Sequence, residues 1–197
     1  MSSVIDTLVY DRTQNDVYRV LELKEKILQG GLGALSDGER AEYLGGRKGA
    51  YNYQDLNRVS EAIAYLANRM VSLAREIAAY RDEKGIADDA LFRVPYDPGA
   101  IKVTPKRDWK MGDVPTPEQV QALLRDLALL RRQLTLPASA PAAPESLDYL
   151  TVSTANDIER MLAAIDAALS ALEQELYLNI DLAASSLRYA AEWTMRG

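Results

Sequence analysis

Cysteine and histidine are both absent from this chain of 197 residues, and phenylalanine occurs once. Without cysteine there is no disulfide, thiolate metal site or thiol nucleophile, although the redox compartment stays open. Without histidine the commonest general acid/base near neutral pH, the commonest transition-metal ligand and every Ser-His-Asp arrangement are missing. A di-iron helical site with its Glu-x-x-His motifs is excluded for the same reason. Conventional hydrolase chemistry is therefore disfavoured, and no catalytic, cofactor-binding or metal-binding residue is assigned. No cofactor is expected.

Long apolar runs are also missing. No stretch approaches the ~18 residues of a membrane span, and the opening MSSVIDTLVYDRT lacks the basic and apolar regions of a secretion signal. A formal charge of -6 and a pI near 4.8 work against non-specific attraction to a phosphate backbone. The expectation is a soluble protein made in the cytosol, with neither membrane nor nucleic acid as a partner.

What the chain does contain is 48% apolar residues, ample for a core, and a repeated helix start. Thr13 with Asp16, Asn52 with Asp55, Thr116 with Gln119, and Thr154 with Asp157 each resemble a capping box leading into apolar residues at helical spacing. Three copies continue as acid, apolar, any, Arg, apolar: Asp16 to Val20, Asp55 to Val59, and Asp157 to Met161. Thr13 to Thr116 and Asn52 to Thr154 are separated by about 103 residues, which reads as a tandem duplication of a two-helix unit. The expected fold is all-α, with duplicated capped helices forming a helical bundle or coiled coil. Its units are residues 1–95, a connector at 96–112, and residues 113–197 with a Pro/Ala linker at 136–146.

The spacing predicts a first helix from Gln14 to Gln29, stopped by Gly30 and Gly31, and a short one from Ser36 to Leu44. Val4 to Tyr10 reads as extended. In the next helix Leu56, Val59, Ile63, Leu66, Met70, Leu73, Ile77 and Tyr80 alternate steps of three and four, the period of a coiled-coil seam. Leaving eight such side chains in water would forfeit on the order of ten kcal/mol, so this helix needs a partner. Leu91 to Pro105 suggests a short hairpin or an extended connector. A third helix follows Pro117, and LPASAPAAPES then favours a stiff path that spaces helices apart. The fourth begins at Thr154 with a seam through Leu176, and a bend or break is expected near Asn179.

Sites compete with simpler readings. The recurrent Asp and Arg, three apart, favour local pairing over a docking face. Adjacent carboxylates such as Asp82 and Glu83, or Asp88 and Asp89, point to different helix faces. GGLG at 30–33 and GGRKG at 45–49 lack the Walker spacing. Arg125, Arg131 and Arg132 form a solvated face interrupted by Asp126. The interface candidates are the aromatics Trp109, Trp193, Tyr189, Tyr51 and Tyr53, which supply large contact areas, and the seam residues Leu66 and Leu127.

YDRTQNDVYRVLELKEKI, GERAEYLGGRKGAYNYQDLNRVSEAIAYL, RDWKMGDVPTPEQVQALLRDLALLR and LPASAPAAPESLDYLTVSTANDIERMLAAIDAAL together cover about three quarters of the chain. In combination they resemble a recurring group of helical structural proteins from tail-gene modules of phages and prophages of anaerobic Gram-positive bacteria. The tail beyond Leu178 departs from that group's short aromatic and glycine-containing ending. The resemblance implies a virion component of the distal tail, baseplate or fibre-attachment region, assembled in the host cytoplasm. Its implied partners are other virion tail proteins and copies of itself. A helical adaptor that binds a peptide or partner helix is the competing expectation.

Overall fold

Each main helix starts where a side chain satisfies backbone donors that the first turn leaves unpaired. In the computed structural model, which describes residues 3–45, 48–148 and 150–194 (the last six by backbone alone), five α-helices follow one another. They are α1 (Gln14–Gly30), α2 (Asp37–Leu44), α3 (Tyr53–Lys84), α4 (Pro117–Arg131) and α5 (Val152–Thr194). No strand occurs among the described residues, which are all-α, and the Leu91 to Pro105 connector is no hairpin but an irregular path with 3-10 turns at Ala90–Phe92 and Pro98–Ala100.

Thr13, Ser36, Asn52 and Thr116 close complete capping boxes with Asp16, Glu39, Asp55 and Gln119. The fourth expected box does not form. Helix α5 starts one turn earlier, where the Thr151 hydroxyl accepts from the Thr154 amide, and Asp157 pairs instead with Ser153 and Arg160. Val4–Thr7 also departs from the extended expectation. It is a 3-10 turn boxed by Ser3 and Asp6.

Helices α3 and α5 run parallel. Arg58 meets Glu159, Arg69 meets Ser170, Glu76 meets Tyr177 and Tyr80 meets Asp181, the partner always lying 101 residues later. Between these polar pairs the α3 seam closes on Ile158, Leu162, Ile165, Leu169 and Leu176 of α5. The seam thus closes within one chain, and residues from both sequence halves share one core cluster.

No break occurs near Asn179. The helix continues, and its buried positions shift from alternating steps to steps of four through Leu176, Ile180 and Ala184. Adding a residue to the repeat in this way keeps a straight helix facing its neighbour, because an ideal helix drifts against a strict heptad.

A parallel pair needs the chain to travel back between helices. Helix α3 has 32 residues and rises about 48 Å, a distance that extended chain covers with roughly 15 residues. The connector from Gly85 descends along α3: the Tyr96 hydroxyl donates to the Met70 carbonyl, and lower down Asn57 exchanges two hydrogen bonds with the Trp109 backbone. Helix α4 then climbs in the same sense as α3. The Pro/Ala linker returns the chain again, with the Arg131 guanidinium donating to the Pro141 carbonyl and Leu136, Ala143, Leu147 and Leu150 packed on the core. The linker is a return strap lying on the helices.

The α1–α2 hairpin has its own small core of Val20, Leu23 and Leu35, separate from the main cluster. Gly49 brings the following loop back against the first turn of α1, where an added Cβ would fall 2.0 Å from the Asp16 carbonyl oxygen. Only glycine permits that approach.

Because Leu66 is fully buried between α3 and its neighbours, Leu66→Ala should cost about 2–5 kcal/mol in urea unfolding, and Leu66→Asp should prevent folding.

Candidate functional site

The greatest concentration of buried polar chemistry lies where α3 and α5 begin. Asp55 is the third residue of α3, and its Oδ2 accepts from the Asn52 amide to complete the cap. Its other oxygen accepts from both Arg12 and Arg58. Glu159, two turns beyond the start of α5, has no exposed surface. Its Oε1 accepts from Arg12 at 2.6 Å and Arg58 at 2.9 Å, and its Oε2 accepts from Arg58 Nε at 2.9 Å and the Val9 amide at 2.6 Å.

Two arginines and two carboxylates thus neutralise one another away from water. Asn156 completes the cluster by pairing with the Arg12 backbone, accepting from its N–H at 3.0 Å and donating to its C=O at 2.9 Å. The extended segment from Leu8 to Thr13 is clamped across both helix starts.

Tyr51 covers the cluster, its ring centroid 5.5 Å from the Arg12 guanidinium carbon. Its hydroxyl is buried without a hydrogen-bond partner, and burial, reinforced by the Glu159 and Asp55 charges, pushes the phenol well above its usual range. For Arg58 burial opposes the charge, but the Glu159 hydrogen bond and the Glu159 and Asp55 charges outweigh it and hold the guanidinium firmly protonated. A cleft of about 380 Å3 opens beside the cluster, lined by Asp11, Lys48, Asn52, Gln54 and Arg58. Both carboxylates are matched by guanidiniums, while Arg12 Nε is buried without a hydrogen-bond partner, so the arrangement ties the three segments together. Among the described residues no group of three or more potential ligands is placed to hold a metal ion.

The sequence motif anticipated part of this cluster. Asp55 and Arg58 form the expected local pair and add the long-range partners. Asp157 and Arg160 pair locally at 3.2 Å on the surface, whereas Asp16 serves only the cap and Arg19 turns to Glu22 and Glu42. Arg12, Asn156 and Glu159 were not singled out. No local signal marks Glu159, which follows Asn156 and Asp157 and precedes Arg160 in a polar helix start; its burial follows from the offset that turns it toward Arg58.

The expected interface residues separate into three groups. Leu66 and Leu127 have no exposed surface and Trp109 is 7% exposed, so these three build the chain's own core. Trp109 is fixed by Asn57 and covered by the Lys106 ammonium, 4.8 Å from its ring. Tyr51 and Tyr53 are partly buried against the same core. The side chains of Tyr189 and Trp193 lie outside the described residues.

Surface available to other proteins lies elsewhere. On α1 and just after it, Tyr18, Leu21, Leu28 and Leu32 are exposed at seam-like spacing, with Glu25 in the same row. On α5 Leu178 and Leu182 are exposed, and a groove of about 770 Å3 runs beside Ala164, Ala168 and Ala171. No described helix is long and apolar enough to cross a membrane. Comparison with protein-family models, curated proteins and solved structures gives no match.

Removing the Glu159 carboxylate leaves the Val9 amide without its acceptor and two guanidiniums sharing the single Asp55 carboxylate. Glu159→Ala should therefore cost about 3–5 kcal/mol in chemical denaturation, while Arg160→Ala at the exposed pair should stay within about 0.5 kcal/mol of wild type. The α1–α2 hairpin has a separate pH dependence. Lys26, with the Ser36 amide and hydroxyl, holds Glu39 down at about 2, below its ordinary 4.5. A depressed carboxyl stabilises the fold above its unfolded pKa and loses that effect as pH falls through the folded value. Protection factors of the α2 amides, taken relative to the intrinsic exchange rate at each pH, should fall between pH 4.5 and 2, and Glu39→Gln should remove that change.

Proposed function

We propose that this protein is a non-enzymatic structural component of a phage virion, placed in the distal tail, baseplate or fibre-attachment region, where it assembles through amphipathic helices. The observation that carries the assembly role is the exposed row on α1. Tyr18, Leu21 and Leu28 are 60%, 55% and 87% exposed on a hairpin whose other face already closes on α2. This apolar row, interrupted by Glu25, supplies contact area that its own fold does not use. The virion assignment rests on the sequence resemblance to phage tail-gene proteins.

Crosslinking and mass spectrometry of purified particles tests the assignment. The expected result is several copies per particle, linked to tail or fibre-attachment proteins through lysines near α1. Absence from particles, with the protein remaining monomeric in infected cells, would overturn it. Leu21→Asp with Leu28→Asp should leave the fold intact and reduce incorporation into particles at least tenfold.

The adaptor reading is favoured by one observation, the groove beside α5, whose alanine floor and leucine walls fit an apolar helix. A folded monomer that binds a single helical peptide with that groove, and none through α1, would select it.

A further inference from the structure

Helix α5 carries a second apolar row besides its seam with α3. Ala164, Ala168, Ala171, Glu175, Leu178 and Leu182 follow at alternating steps of four and three, so they share one face, about a third of a turn from the residues that meet α3. The two halves of this row have opposite relief. Leu178 and Leu182 stand out as a ridge, 61% and 59% exposed, whereas the alanines floor the groove walled by Leu134, Leu136 and Pro137. Glu175 is the row's one ionised side chain, in a protein of net charge -6.

We infer that a second copy of this chain covers the row, α5 against α5 and antiparallel, about a two-fold axis level with residue 173. This inference rests on the self-assembly reading above. In that register Leu178 of each copy meets Ala168 of the other, and Leu182 meets Ala164. Both ridges enter both grooves in one closed contact. A parallel pairing sets leucine on leucine and leaves both grooves open.

The row is about 27 Å long and roughly 10–12 Å wide. That footprint is on the order of 300 Å2 per copy before the connector wall is added, short of the ~800 Å2 of a standard interface, which corresponds to a weak, reversible dimer.

Sedimentation velocity across a wide concentration range should show wild type passing from monomer to dimer. Leu178→Asp with Leu182→Asp should weaken association at least a hundredfold, with circular dichroism and melting temperature retained because both positions are exposed. The chain has no cysteine of its own, so engineered pairs report geometry directly and do not depend on the charged variant folding. Mixed Ala168→Cys and Leu178→Cys proteins should form the crossed disulfide on mild oxidation, and Ala168→Cys alone should not link to itself. A wild type that stays monomeric overturns this inference together with self-assembly. A dimer lost in Leu21→Asp with Leu28→Asp, but not in the α5 variant, overturns this surface and keeps self-assembly. Self-linking at Ala168→Cys without the crossed disulfide overturns the antiparallel arrangement.

Discussion

The carboxylate of Glu159 is the point at which the N-terminal segment, α3 and α5 are tied together. It accepts from Arg12, Arg58 and the Val9 amide, and so joins residues separated by 147, 101 and 150 positions in the chain. A cluster of this kind adds little net stability over apolar residues of the same volume, since desolvating four charges offsets most of their attraction. Its consequence is register. Apolar seams alone accept a slide of seven residues with modest loss, but the same slide would bury Glu159 and Arg58 without partners, at several kcal/mol each. Asn156 extends the constraint to the Arg12 backbone, so Leu8 to Thr13 can lie across the helix starts in only one way.

From that anchor the parallel pairing propagates upward. Arg69 contacts Asp166, Ser170 and Glu173 a few turns above the cluster, and Tyr80 stacks edge-on against Tyr177 near the top, with ring centroids 5.8 Å apart. Parallel neighbours cannot be joined by a short loop. The two proline-containing connectors are therefore structural necessities, and their apolar residues turn the return journeys into part of the core. At the top, Asp88 bridges Arg81 and Arg93 and is held at about 2 by those guanidiniums, fastening the first connector as it leaves α3.

Local signals were legible because each depends on residues within one or two turns. The boxes at Thr13, Ser36, Asn52 and Thr116, the glycine stop at Gly31, and the α3 seam all follow from backbone satisfaction and helical period. The box at Thr154 failed because Thr151 offers an equivalent hydroxyl one turn earlier, and a single start signal cannot choose between two adequate caps. The break expected at Asn179 rested on a strict heptad, whereas a helix continues through a one-residue shift when the next apolar position, Ile180, finds the same neighbour. Trp109, Leu66 and Leu127 drew attention as large apolar groups, but size alone does not tell a core residue from an interface residue.

The repeated acid-x-x-Arg motif separates the two kinds of information most clearly. Asp55 and Asp157 are 102 positions apart in sequence, yet the helices pack with an offset of 101. Arg58 therefore faces Glu159 and not the motif's own Arg160, which is left on the surface. One residue turns a helix by about 100°, enough to exchange a buried position for an exposed one. The amino-acid sequence by itself determined where α1 to α4 start, which stripe of each is apolar, and that α3 requires a partner, because these are properties of one helical turn and its neighbours. Which helix answers α3, in what direction and at what offset was decided only in the tertiary structure, because it depends on the simultaneous satisfaction of buried charges brought together from three distant segments.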